Sequence, residues 1–230
     1  MKMDQKTVYT IGYSGYENNT DLFLDELKKR NISVLIDVRS DPYSAHFDNF
    51  NKEPFSKKLE TNNILYRNYC NEFGAKQLDR SCYSRFDGEK NRIDYQLFTQ
   101  TERFKDGVNK LKKMHDLGYI PAIMCSEKDP INCHRAIMIA NSLSNEYSMT
   151  VFHIVPDKKD ESQKELEERL KTTISSELEK KKKMNILELK MKDELFSLFS
   201  DKKYSNDIQN FYRIMNSRIG WEYNSVLGYK

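Results

Sequence analysis

Nine residues in three short stretches carry side chains able to hold an anion, move a proton or attack as a nucleophile: Ser14; Asp37, Arg39 and Ser44; and Cys125, Glu127, Cys133, His134 and Arg135. The third stretch, MCSEKDPINCHR, is the densest. A thiol attacks as its thiolate, and a helix N-terminus or a neighbouring imidazole favours that ionisation. Either cysteine, with His134 as base, is therefore a candidate catalytic pair. Glu127 or Asp37 is a candidate acid or base. Arg135, at the start of an expected helix, joins a planar donor fork to unpaired backbone N–H groups, and Arg39 adds a second fork; with Ser14, Asp37 and Ser44 they make a candidate anion-binding set. The same residues admit a scaffold reading, in which Arg39 pairs with Asp37 or Asp41, Arg135 pairs with Glu127, and the cysteines are packing.

Other chemistries lack a pattern. Cys70, Cys82, Cys125, Cys133 and His134 contain no CxxC pair, so no metal site is expected. There is no GxGxxG and no Walker loop, so no cofactor is expected. His46 reads as a solvated loop histidine and His153, at the end of an apolar strand, as a hydrogen-bonded core residue.

Elements must bring the three stretches together. TVYTIGY, from Thr7 to Tyr13, is a β-branched and aromatic run closed by Ser14-Gly15 and reads as a strand entering a tight turn. A helix follows from Thr20 to Arg30, with Thr20, Leu22, Phe23 and Leu27 on its inward face. SVLIDV, from Ser33 to Val38, is a strand buried on both faces, and Arg39 to Pro54 is a long loop. A helix over Phe55–Glu60 and a short strand at Ile64–Tyr66 come next, while 68–91 reads as irregular. Beyond them stand a helix over Phe98–Leu117, a strand from Tyr119 that delivers Cys125, a helix over Ala136–Leu143 and a strand over Met149–Val155. This alternation predicts an α/β fold, a Rossmann-like parallel sheet flanked by helices, whose ligands sit beyond the carboxyl ends of the strands. Residues 1–155 would form that core and 156–230 a helical C-terminal extension. In the extension Leu166, Leu170, Ile174 and Leu178 make one apolar stripe and 186–199 a second apolar cluster.

TIGYSGY, then LIDVRSDPYS, then MCSEKDPINCHR, then a strand ending in HI resembles, in order and spacing over Thr7 to Leu170, the domain-of-unknown-function 488 family. The resemblance implies a Rossmann-like α/β fold and a shared polar site, and brings no settled activity with it. The DVR strand end and cysteine loop are also similar to rhodanese-like and cysteine phosphatase domains. Those need a short Cys-to-Arg cradle, and here Cys125 to Arg135 encloses nine residues while Cys133 to Arg135 encloses one.

Of the 230 residues 38% are hydrophobic and 32% charged, which excludes a wholly disordered chain. Lys and Arg number 38 against 35 Asp and Glu, so no global field names a nucleic-acid partner. No apolar run approaches the roughly 18 residues that span a bilayer, and no export signal opens the sequence. A cytoplasmic location, reduced thiols and no membrane partner are the expectations. The leading functional expectation is a hydrolase or transferase for a phosphorylated or nucleotide-like substrate, a small anionic ligand. A second is a nucleic-acid-binding module, with Tyr13, Tyr16, Tyr43 and Phe47 stacking on bases and Arg39, Arg67, Arg80, Arg85 and Arg92 on phosphates. A third is an interaction protein that assembles, with itself or others, through its C-terminal helices.

Overall fold

The computed structural model describes residues 6–86, 90–183 and 207–222. Its strands in chain order are β1 (Thr7–Gly12), β2 (Val34–Asp37), β3 (Leu65–Asn68), β4 (Tyr83–Phe86), β5 (Lys90–Ile93), β6 (Pro121–Cys125), β7 (Thr150–Ile154) and β8 (Glu161–Ser162). β4 and β5 form a separate hairpin, and the other six make one sheet in the order β3-β2-β6-β1-β7-β8. All neighbours from β3 to β7 run parallel; β8 alone pairs antiparallel, on β7. The helices are α1 (Thr20–Lys29), α2 (Lys52–Glu60), α3 (Cys70–Phe73), α4 (Tyr95–Thr99), α5 (Glu102–Asp116), α6 (Asn141–Asn145), α7 (Gln163–Lys183) and α8 (Ile208–Ile219), with a π-helix over Arg135–Ala140 running into α6. This is the α/β, Rossmann-like architecture of a mostly parallel sheet flanked by helices. No helix among the described residues is long and apolar enough to cross a membrane.

β2 and β6 are buried at every position because helices cover both faces of the sheet. On one face Phe23 and Leu27 of α1 and Phe55 and Leu59 of α2 pack with Ile11, Leu35 and Met124. On the other, Phe104, Val108 and Leu111 of α5 and Ile137 and Ile139 of the π-helix pack with Val8, Ile36 and Ile123. Each fully buried Phe or Leu contributes about 1.5–3 kcal/mol relative to its exposed state.

Several elements differ from the sequence reading. Leu22, expected inward, is 55% exposed, and Leu24 is buried in its place. Thr20, Phe23, Leu24 and Leu27 are the true i, i+3, i+4, i+7 stripe. The helix expected over Phe98–Leu117 is two: α4 stops at Thr99, and Thr101 caps α5 by accepting a hydrogen bond from the Phe104 amide. The stretch 68–91, expected to be irregular, holds α3 and the β4–β5 hairpin. Beyond Pro156, β8 extends the sheet. Leu166, Leu170 and Ile174 of α7 are fully buried, and Phe211, Tyr212, Ile214 and Met215 of α8 join the same core. The side chain of Leu178 and the cluster expected at 186–199 lie outside the described residues.

Sheet order decides where ligands have room. From β2 the chain leaves through α2 on one face toward β3, and from neighbouring β6 it leaves through the π-helix and α6 on the other face toward β7. A crevice opens where adjacent connections diverge in this way, outside the carboxyl ends of β2 and β6. Those ends carry Asp37 and Cys125.

Candidate functional site

The carboxyl ends of β1, β6 and β2 lie side by side and their loops are tied together. Ser14 N–H donates to the Ser126 carbonyl at 3.0 Å, and Val38 N–H to the Met124 carbonyl at 3.0 Å. At the β1–β6 junction only glycine fits position 12: a Cβ there would stand 1.8 Å from the Glu127 carbonyl oxygen and 3.0 Å from Arg135 Nη2.

Cys125, the last residue of β6, and Cys133 and His134, just before the π-helix, meet in the interior. Cys125 Sγ is 3.7 Å and Cys133 Sγ 3.9 Å from His134 Nδ1, and the three atoms all lie within 4.8 Å of one another. Cys125 Sγ also stands 3.3 Å from Glu127 Oε2. Glu127 is exposed as a residue but turns its carboxyl inward to Cys125, and Cys125, Cys133 and His134 are 4%, 1% and 7% exposed. His134 Nε2 is buried without a partner.

The electrostatics are uneven within this group. Burial, the largest influence on Cys133, would push its thiol up; the hydrogen bond from Cys125 and the charges of Arg135 and His134 outweigh it and hold Cys133 well below the usual thiol range. The same hydrogen bond, followed by burial, pushes Cys125 well above it. Packing of the Glu127 carboxyl raises that group, and the nearby Cys133 raises it further. His134 is raised against the effect of its burial by its contact with Cys133. The two shifts run in opposite directions and favour ionisation at Cys133 over Cys125.

Arg135 has no exposed surface. Its Nη1 donates to the Glu127 carbonyl at 2.6 Å and its Nη2 to the Lys128 carbonyl at 3.2 Å, while Nε has no partner. It is paired with no carboxylate among the described residues. Arg39 is placed differently: its Nε and Nη2 grip both oxygens of fully buried Asp37 at 2.6–3.1 Å, its Nη2 also donates to the Phe50 carbonyl, and its guanidinium lies 5.0 Å from the Tyr13 ring centre. Tyr66 adds a hydroxyl donor to Asp37 Oδ2 at 2.7 Å.

The strand-end candidates therefore fall into two neighbouring groups, one around Asp37 and Arg39 and one around the cysteines. Ser14 joins the second through its backbone. Ser44 bonds within its own loop, taking Phe47 N–H at Oγ and giving its own N–H to Asn51 Oδ1. Tyr13, expected to stack on a base, lies against Arg39, and Gly12, Tyr66 and Tyr95 are not marked out by their types. Gly12 is set by a close backbone approach and the tyrosines by neighbours that only the sheet order supplies. Tyr95 also lines a cavity of about 340 Å³ between α4, the π-helix with α6, and α8. Its hydroxyl is buried without a partner, and burial followed by Cys133, Cys125 and Glu127 raises it.

His46 is exposed in its loop, and His153 is fully buried and bonded at both nitrogens.

The family model described as Domain of unknown function DUF488 matches residues 19–141, a span holding every residue of both groups named above except Gly12, Tyr13 and Ser14. No curated protein and no solved structure matches the chain.

Proposed function

The chain belongs to the DUF488 family, and from that premise we propose that it is an enzyme, a hydrolase or transferase, acting on a phosphorylated or nucleotide-like substrate at the ends of β1, β2 and β6. One observation carries the reading: Arg135 is a fully buried cation whose partners are backbone carbonyls and not a carboxylate. A buried cation with no carboxylate partner is costly; the nearby Cys133 sulfur offsets part of that cost, and an anion bound beside the guanidinium would offset the rest. Glu127, exposed and in contact with Cys125, is the acid or base at the mouth of the site. Cys125, Cys133 and His134 are the reactive groups behind it. Arg39, already neutralised by Asp37, orders the neighbouring loop.

Thermal shift with inorganic phosphate and a series of nucleotides tests this. Stabilisation by a phosphorylated compound is expected, and Arg135→Lys, which keeps the charge and loses the fork, should weaken it by roughly 1–3 kcal/mol. Turnover of that compound should be lost in Glu127→Gln. An unchanged ligand response in Arg135→Lys removes the anion contact, and binding that collapses steeply with salt points to nucleic acid instead.

A further inference from the structure

We propose that Cys125, Cys133 and His134 bind a thiophilic metal cation, Zn²⁺ or Cu⁺, through two sulfurs and Nδ1. The inference goes beyond the enzymatic reading and does not depend on it. With separations of 3.7 and 3.9 Å from Nδ1 to the sulfurs and at most 4.8 Å between the sulfurs, the three atoms surround a point no more than about 2.5 Å from each. Metal–sulfur bonds of about 2.3 Å and metal–nitrogen bonds of about 2.0–2.1 Å need only a small contraction around that point. Two thiolates and one imidazole are soft ligands, the set that selects Zn²⁺ and Cu⁺ over Mg²⁺ or Ca²⁺. A bare ion is small enough to sit among side chains this buried.

Charge agrees with the geometry. Two thiolates around Zn²⁺ make a neutral interior unit, and around Cu⁺ a unit of single negative charge, two residues along the chain from the buried Arg135. Glu127, 3.3 Å from Cys125 Sγ, is an oxygen donor at hand for a fourth position. The sequence hides this set because no two ligands form a CxxC pair. A strand end supplies the first and a helix start the other two.

The test uses the full chain, stripped with a chelator and titrated with Co²⁺ and then Zn²⁺. One Co²⁺ per chain is expected, with thiolate-to-cobalt charge-transfer absorption that Zn²⁺ abolishes. Cys125→Ser and Cys133→Ser should each remove the absorption, and Cys70→Ser and Cys82→Ser should leave it. Because a core substitution can unfold the chain, zinc X-ray absorption on the unmutated protein gives a second reading: two sulfur scatterers are expected. Absence of charge transfer, its survival in the Cys125→Ser/Cys133→Ser double variant, or a shell of nitrogen and oxygen alone overturns the proposal. A metal-loaded but inert protein keeps this inference and removes the enzymatic one; a turning-over protein that binds no metal does the reverse.

Discussion

Two buried histidines, one on a sheet strand and one at the start of the π-helix, have opposite surroundings. His153, on β7, is held at both nitrogens: Thr10 Oγ1 lies 2.8 Å from Nδ1, Gln163 Oε1 lies 2.8 Å from Nε2, and the chain continues from Gln163 Nε2 to the Tyr212 hydroxyl and from there to Glu167. Burial, against the help of Gln163, depresses this imidazole to about 3, so it is neutral and finished as a bonding group. His134 touches two sulfurs on one side and nothing on the other, and its proton affinity is raised. A closed polar network fixes structure, because every group has its partner. An incomplete one beside a thiolate keeps capacity for a ligand or a proton.

The largest effect expected from this contrast is acid sensitivity at His153. Unfolded chain takes up the proton below about pH 6.5, whereas the folded chain resists until about pH 3, so acid favours unfolding. Stability from this site is complete above pH 6.5 and falls by about 1.4 kcal/mol per pH unit on the way down, about 5 kcal/mol in all. Denaturant midpoints across that range measure the slope. His153→Gln should flatten it, and a slope that survives the substitution removes His153 as its source.

Next in size is Gly12→Ala. Its Cβ collides with the Glu127 carbonyl beside Arg135, and about 3 kcal/mol or more should be lost as the loop is pushed off β1. Native stability in Gly12→Ala would mean the loop yields cheaply, so that the open cluster is soft as well as incomplete. Tyr66→Phe should cost about 1.5–3 kcal/mol, the value of a hydrogen bond to a charged group, and urea unfolding reads it. The smallest change belongs to His134→Gln, with less than about 1 kcal/mol of stability expected because few bonds are lost. If His134→Gln instead destabilises as much as His153→Gln, the two histidines are alike and the comparison fails.

How much of this was legible in sequence follows the range of the interaction. β1, β2, β6, β7 and most helices are local patterns of alternation, apolar runs and capping residues. The long helix breaks at Thr101 because one hydroxyl cap outweighs a continuing apolar period, and Leu22 reads as inward because two phases of the stripe compete over so short a span. That the polar strand ends should neighbour one another follows from parallel topology. The fit at Gly12, the Tyr66 hydroxyl on Asp37 and the approach of Cys125 to Cys133 and His134 depend on strand order and helix entry, which no local window holds.

The placing of α8 has a consequence for how the chain acquires its form during synthesis. Asn216 receives the Tyr95 amide at 2.8 Å and donates to the Ile93 carbonyl at 2.7 Å, across sequence separations of 121 and 123 residues. Arg92 donates to the Ser217 carbonyl across a similar gap. Contacts this distant close late, since loop entropy must be overcome before they give any return. A nascent chain that has released only its parallel strands therefore still presents the apolar surface awaiting Phe211, Ile214 and Met215. That intermediate is the form most open to aggregation or chaperone capture, and it lasts until α8 has been made and has docked.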